Sequence, residues 1–122
     1  MLKKDGILLC TIPFVWDEHE KPYDNARYTS FGVKYLMENA GFEVIKIKKN
    51  TTYIETLFQM LSAYVWQVIL PKNVYIKLIG TAILVAPINI CGIILSRILP
   101  KNNDFYHNNI VVAKKKKSTR SL

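Results

Sequence analysis

The order of the predicted elements indicates an α/β fold. Two short stretches rich in strand-forming residues, 6–15 and 43–49, are separated by a loop and by a helix with clear start and stop signals. A strand–helix–strand crossover of this kind is right-handed and makes its two strands parallel neighbours, or near neighbours, in one sheet. A chain of 122 residues is enough for one domain with a modest core. We therefore expect one domain over 1–122.

The first predicted strand is the apolar run "GILLCTIPFV" at 6–15. It is too short for a typical helix and contains Pro13, which is typical of a strand buried on both faces. Residues 16–29 follow as a loop that leaves from the carboxyl end of this strand. Because ligands in open α/β sheets bind beyond the carboxyl ends of the strands, the loop is a candidate site.

The predicted helix at 30–41 has signals at both ends. Thr29 or Ser30 can cap its start, and Gly41 can adopt the left-handed conformation that closes a helix. The apolar stripe has the spacing i, i+3, i+4 and i+7 and consists of Val33, Leu36, Met37 and Ala40.

Two further strands are predicted. In the strand at 43–49, Lys46 and Lys48 share one face, which is typical of an exposed edge strand. The β-branched run at 109–116 is the last strand, and 117–122 is a basic tail.

The segment 53–99 is predicted to form apolar helices. Thr52 and Glu55 have the spacing of a capping box, and Pro71 ends the first helix. Its expected buried stripe is Ile54, Leu57, Phe58, Leu61 and Val65.

The stretch 78–96 has no charged residue, so two interpretations stay open: a membrane span, or a pair of buried or interfacial helices. We expect two helical pieces that meet near 86–92, at Pro87, and that pack on the domain or dip into one leaflet.

The net charge is +8, and much of it comes from the C-terminal lysine run. Basic residues interleaved with aromatic ones are not evident, so a nucleic-acid partner is not expected. An acidic membrane surface is a candidate partner for the tail.

Cys10 and Cys91 each lie in an apolar run and are expected to be buried free thiols, as in a reducing compartment. We expect a cytoplasmic protein that can be peripheral to the membrane. No metal-ligand spacing is present; "HE" at 19–20 lacks the second histidine of a zinc-protease motif.

Four segments in the same order resemble one family: "LKKDGILLCTIPF", "HEKPYDNARYT", "AGFEVIKI" and "NNIVVAKKK". They are similar to segments of class I S-adenosylmethionine-dependent methyltransferases of the type 11 group. The pattern HE-x-P-Y-D-x-x-R-Y-T is the most specific part. The resemblance implies the C-terminal part of a Rossmann-like sheet: strands five and six, inserted apolar helices, and strand seven antiparallel between them.

The sequence also departs from that family. There the cofactor lies on a glycine-rich turn after strand one, and an acid at the end of strand two holds its ribose. No two glycines here are spaced G-x-G, and "LKKDG" replaces the usual "LKPGG". The resemblance therefore implies a C-terminal half, from a truncated or split gene, that is inactive alone. S-adenosylmethionine is the expected cofactor, with weak or no binding by this chain. The expected partner is the missing N-terminal half or another copy of the chain.

The resemblance gives the loop residues candidate roles. His19 has the intrinsic pKa of a catalytic base, and Glu20 or Asp24 could orient it. Arg27 could hold an anionic acceptor. Alternatively, Asp24 and Arg27 pair and brace the loop, with Tyr23 and Tyr28 packed beneath it.

Two functions are consistent with the sequence. The first is a methyltransferase whose acceptor is a small or lipid-linked molecule. The second is a small basic membrane-associated protein without catalysis, in which 54–99 is the functional part.

Overall fold

The computed structural model describes Lys3 and residues 6–116. The chain divides into two compact units. The sheet unit contains the described residues up to Asn50 and those from His107 onward, and the helical unit is Thr51–Tyr106. The fold is mixed α/β, as expected. One methyltransferase domain over 1–122 stays a prediction, and the tail at 117–122 lies outside the described residues.

The sheet unit contains one three-stranded sheet in the order β1-β3-β2. β3 is antiparallel to both neighbours, so β1 and β2 are parallel to each other. This is the arrangement predicted for 6–15, 43–49 and 109–116. The observed strands are β1 at Ile7–Pro13, β2 at Phe42–Lys49 and β3 at Asn108–Lys115.

Helix α1, Ser30–Asn39, packs on one face of the sheet. The Thr29 side chain accepts a hydrogen bond from the backbone N–H of Gly32 at 3.1 Å, and Gly41 has a φ of 81°. Both predicted end signals are confirmed. On the inner side of the helix, Val33 is fully buried with Val111 and Ala113 of β3.

The opposite face of β1 is not covered. Ile7 and Leu9 are 65% and 69% exposed, while Cys10 and Ile12, on the other face, pack into the core. The predicted burial of this strand on both faces is therefore wrong, because α1 covers one face only. The edge assignment of β2 is confirmed, since β2 is an outer strand and both Lys46 and Lys48 are exposed.

The helical unit is a hairpin of two helical rods. The first is α2, Tyr53–Tyr64, continued by a π-helical segment, Val65–Ile69. The second runs from Val74 to Ile98 and consists of α3 (Val74–Gly80), a π-helical segment (Thr81–Val85) and α4 (Ala86–Ile98). By length and composition alone, this second rod could cross a membrane. We call residues 53–98 the helical hairpin and residues 70–73 its tip.

The predicted break near 86–92 is wrong. Helical structure continues through Pro87, which lies in the first turn of α4, directly after a π-helical segment where the hydrogen-bond register changes. The chain reverses instead at the tip, after Ile69, where Leu70 is extended and Pro71 ends the first rod as predicted.

The capping box of Thr52 and Glu55 is confirmed, with both reciprocal hydrogen bonds present. The predicted stripe of α2 is wrong at Leu57 and Leu61, which are exposed. Its other members are buried or half-buried: Ile54, Phe58 and Val65. On the side of α2 that faces α4, Phe58 lies against Gly92 and Ser62 is hydrogen-bonded to Asn89. Both cysteines are free as expected, but Cys91 is exposed rather than buried, and Cys10 is half-buried.

We predict that Val33→Ala destabilises the sheet unit by about 2 kcal/mol, because it removes two buried methyl groups and leaves a cavity. Hydrogen–deuterium exchange of the β3 amides should then be roughly 30-fold faster. Phe31→Ala is the matched control, because Phe31 lies on the same helix and is 83% exposed. Equal exchange rates in the two variants would contradict the placement of the core.

Candidate functional site

The loop between β1 and α1, residues 14–29, is fastened at both ends. The backbone N–H groups of Phe14 and Val15 donate to the His107 carbonyl at 2.7 and 3.2 Å. At the other end, the N–H of Tyr28 donates to the Pro13 carbonyl at 3.2 Å. The loop therefore starts and ends at the same corner of the sheet, at the carboxyl end of β1.

Asn109 of β3 gives the loop a further anchor. Its side chain is fully buried, and its Nδ2 donates to the Tyr28 carbonyl at 2.8 Å. A buried amide without a hydrogen bond would cost about 1–3 kcal/mol, so this contact stabilises both the residue and the loop. In the sheet, Asn109 lies opposite Ile12 on one side and Lys49 on the other.

The ring of His107 is buried under the start of the loop. Its Nδ1 lies 3.1 Å from the Val15 carbonyl oxygen, and its ring meets Trp16 edge to face with centroids 5.2 Å apart. Because a carbonyl oxygen only accepts, Nδ1 carries the proton in this contact. The contact therefore selects the tautomer of the neutral ring that has its lone pair on Nε2.

Asp24 and Arg27 form a bidentate ion pair inside the loop. The Nη2 group of Arg27 also donates to the Asp17 carbonyl at 2.9 Å. The hydrogen bond from Arg27 lowers the pKa of Asp24 to about 2, and the backbone N–H of His19 contributes in the same direction. Reciprocally, Asp24 raises the pKa of Arg27. Charge-assisted hydrogen bonds thus join the parts of the loop at Asp17, Asp24 and Arg27.

His19 lies beside this pair and is half exposed. Its backbone N–H donates to Asp24 Oδ2 at 3.2 Å, and its Nδ1 is 3.0 Å from the Asp17 carbonyl oxygen and 3.6 Å from Asp24 Oδ2. Both neighbours of Nδ1 are acceptors, so they favour a proton there and leave the lone pair of the neutral ring on Nε2. Nε2 is then the atom that could accept a proton.

The structure brings together three of the five predicted site residues, His19, Asp24 and Arg27. Glu20 is exposed, and its backbone carbonyl accepts a hydrogen bond from the N–H of Tyr23 at 2.7 Å. Tyr28 reaches the site through its backbone. The expected packing of Tyr23 beneath the loop is wrong, because this side chain is 80% exposed. Whether Asp24 and Arg27 also bind a substrate stays a prediction.

Sequence reasoning missed three residues that hold the loop: Trp16, His107 and Asn109. The polar run "YHNN", which leads into the last strand, was the available signal, because polar residues at the start of a central strand need partners. Within residues 6–116, no group of three or more His, Cys, Asp or Glu side chains is placed to hold a metal ion.

Comparison with protein families, with curated proteins and with solved structures finds no match for this chain.

We predict a pH dependence of the loop that comes from Asp24. The pKa of this carboxyl is about 2 in the folded protein and about 3.9 in an unfolded chain. A lowered pKa stabilises the ionised pair above about pH 4, and this stabilisation is lost as the pH falls through 2. At pH 4, pepsin should therefore cut the loop of Asp24→Asn several-fold faster than that of the wild type.

This difference should become much smaller near pH 2, where about half of the wild-type carboxyl groups are protonated. Glu18→Gln is the control, because Glu18 is an exposed acid of the same loop. It should be cut like the wild type at both values. A difference between the wild type and Asp24→Asn that persists unchanged at pH 2 would argue against the ion pair as the brace.

Proposed function

We propose that this chain forms the C-terminal strands of an S-adenosylmethionine-dependent methyltransferase. The observation that carries the proposal is the placement of β3, which lies antiparallel between two parallel strands. Strand seven is expected in that position between strands five and six of the family that the sequence resembles. The long insertion between β2 and β3 also agrees with the inserted apolar helices of the resemblance.

The residues of this chain by themselves do not fit the cofactor. Among the described residues, Gly32 and Gly92 lie inside helices and Gly41 closes α1, so no glycine-rich turn follows a strand. We therefore derive no catalytic step through the cofactor. The proposal requires a second polypeptide segment that supplies the glycine-rich turn and the acid for the ribose.

The outer edge of β1 supports such a partner. Within the described residues β1 pairs with β3 alone, so its other edge presents unpaired backbone groups. Ile7 and Leu9 are exposed beside this edge. An apolar, unpaired edge is a template for strand addition, and a fourth strand would pair there. The missing N-terminal half is the proposed occupant.

In this proposal the loop supplies the acceptor side of the site. His19 would accept the acceptor's proton at Nε2, while Asp24 and Asp17 hold its ring through Nδ1. The guanidinium of Arg27 is already engaged by Asp24 and Asp17. Bracing is therefore the role that the geometry favours for Arg27, over binding an anionic acceptor. Glu20 is not held near His19 and has the weakest support.

The second candidate function is a membrane-associated protein without catalysis. The observation in its favour is the large number of exposed apolar side chains on the helical hairpin. The two candidates differ in what a second segment does: a methyltransferase gains cofactor binding from it, and a non-catalytic protein does not.

We predict that the purified chain alone shows no micromolar binding of S-adenosylmethionine in titration calorimetry. Co-expressed with the product of the reading frame directly upstream, it should become cross-linked with radiolabelled S-adenosylmethionine under ultraviolet light.

Leu9→Lys should abolish co-purification of the chain with the upstream product, because a lysine on the open side of β1 opposes packing there. Tyr35→Lys, on the exposed side of α1, should have no effect.

Micromolar binding by the chain alone would show that it needs no second segment. Absence of cofactor cross-linking in the co-expressed sample would refute the methyltransferase proposal and favour the non-catalytic one.

A further inference from the structure

The helical hairpin has an inverted distribution of polar and apolar side chains. Thr56 and Ser62 of α2 and Ser96 of α4 are buried, with at most 7% of each residue exposed. Large apolar residues lie on the outside of both rods: Leu57, Leu61, Val68, Ile69, Val74, Ile76, Leu78, Ile79, Ile83, Leu84, Ile90, Ile93, Ile94 and Ile98. A helix pair in water would have the opposite arrangement.

The two rods are joined by contacts that suit an apolar solvent. Ser62 Oγ donates to Asn89 Oδ1 across the pair at 2.7 Å. Within the second rod, Ser96 Oγ donates to the Ile93 carbonyl at 2.9 Å, so this buried hydroxyl is satisfied inside its own helix. A Cβ at Gly92 would lie 2.6 Å from the Cβ of Phe58, so glycine lets the rods approach closely. Small residues at the crossing and polar side chains facing inward are typical of helices packed in a membrane.

The lengths of the uncharged stretches agree with this interpretation. Between Lys77 and Arg97 the second rod has no charged residue, and at 1.5 Å per residue this stretch is about 28 Å long. The hydrocarbon core of a bilayer is about 30 Å thick. The uncharged helical part of the first rod, 56–69, is shorter, about 21 Å long, a mismatch that local thinning of the bilayer accommodates.

Amphipathic side chains lie near the tip, where a membrane interface would be. The Nζ of Lys77 lies 3.5 Å from the centroid of the Trp66 ring, and Tyr75, two residues before Lys77, is exposed. Tryptophan, tyrosine and lysine are enriched at the boundary between hydrocarbon and water. At the opposite end, Arg97 lies in the last turn of the second rod and Lys101 follows the rod.

We propose that the helical hairpin crosses a lipid bilayer twice, with residues 56–69 and 78–96 as its two passages. The tip then lies on the far side, and both ends of the hairpin return to the same side. This inference does not depend on the methyltransferase proposal. It replaces the expected shallow insertion into one leaflet by a complete double crossing.

The basic residues assign the orientation. Five of them lie within a short distance of the two ends of the hairpin: Lys46, Lys48, Lys49, Arg97 and Lys101. Near the tip there are two, Lys72 and Lys77. Because positively charged flanks stay in the cytoplasm, the ends and the strands that they connect are cytoplasmic and the tip is external.

Lipid accounts for the exposed surface better than a second copy of the chain. Val74, Tyr75 and Ile76 are consecutive and all exposed, so the apolar surface extends around more than half of α3. In the most apolar stretch of the second rod, only 11% of the residues are buried. A dimer contact covers one side of a helix, whereas acyl chains surround every side that the partner rod leaves open.

Cysteine accessibility tests the double crossing. In a background with Cys10→Ala and Cys91→Ala, single cysteines are introduced at the tip by Lys72→Cys and beyond the base by Asn103→Cys. A membrane-impermeant maleimide is applied to right-side-out and to inverted vesicles. We expect Lys72→Cys to react in right-side-out vesicles only and Asn103→Cys in inverted vesicles only. The chain should also stay in the membrane pellet after alkaline carbonate.

A second variant tests the lipid-facing surface, and its only readout is the fraction of the chain that stays in the membrane pellet after alkaline carbonate. Ile83→Lys places a charge near the middle of the second passage and should lower the carbonate-resistant fraction roughly tenfold. Phe31→Lys, on α1 of the sheet unit, is the matched control and should leave it unchanged.

Three outcomes would overturn the proposal: reaction of both single cysteines from the same side, release of the chain by carbonate, or an unchanged resistant fraction for Ile83→Lys. A soluble oligomer that forms without detergent would show that a second copy covers the hairpin.

Discussion

The return of β3 to the space between β1 and β2 is the constraint on which the rest of the structure depends. At the place where β2 ends and β3 begins, the N–H of Asn50 donates to the Asn108 carbonyl at 3.2 Å, and Asn50 Oδ1 accepts from the N–H of Asn108 at 2.9 Å. The segment between them, residues 51–107, must therefore return to the point at which it leaves the sheet. The helical hairpin meets this requirement, and the N–H of Tyr53 closes its base on the Asn102 carbonyl at 2.7 Å.

The same return builds the candidate site. The entry of the chain into β3 brings His107, just before the strand, and Asn109, its second residue, to the corner where the loop leaves β1. These two residues fasten the loop at its start and at its end. The ion pair of Asp24 and Arg27 then fixes the interior of the loop and holds His19 beside it. Loss of the β3 pairing would therefore disorder the site as well as the sheet.

The two units differ in where they place polar groups. In the sheet unit, apolar side chains such as Val33 and Val111 are buried, and lysines lie on the outer strand. In the helical unit, Ser62 is buried against Asn89, and isoleucines and leucines are outside. This contrast within one chain is expected where one unit is in water and the other is in lipid, because each solvent selects the groups that face it.

Local chemistry in the sequence determined the elements and their ends. The caps at Thr29 and Thr52 and the closing residue Gly41 follow from hydrogen bonds or steric effects within a few residues, and so does the pairing of Asp24 with Arg27. Tertiary structure alone decided that Asn109 anchors the loop, because its partner carbonyl is 81 residues away. It also decided which face of β1 is open and that the chain reverses at the tip. Those outcomes depend on which distant surface covers each apolar residue. The periodicity of the sequence identifies the apolar residues but not the surface that covers them.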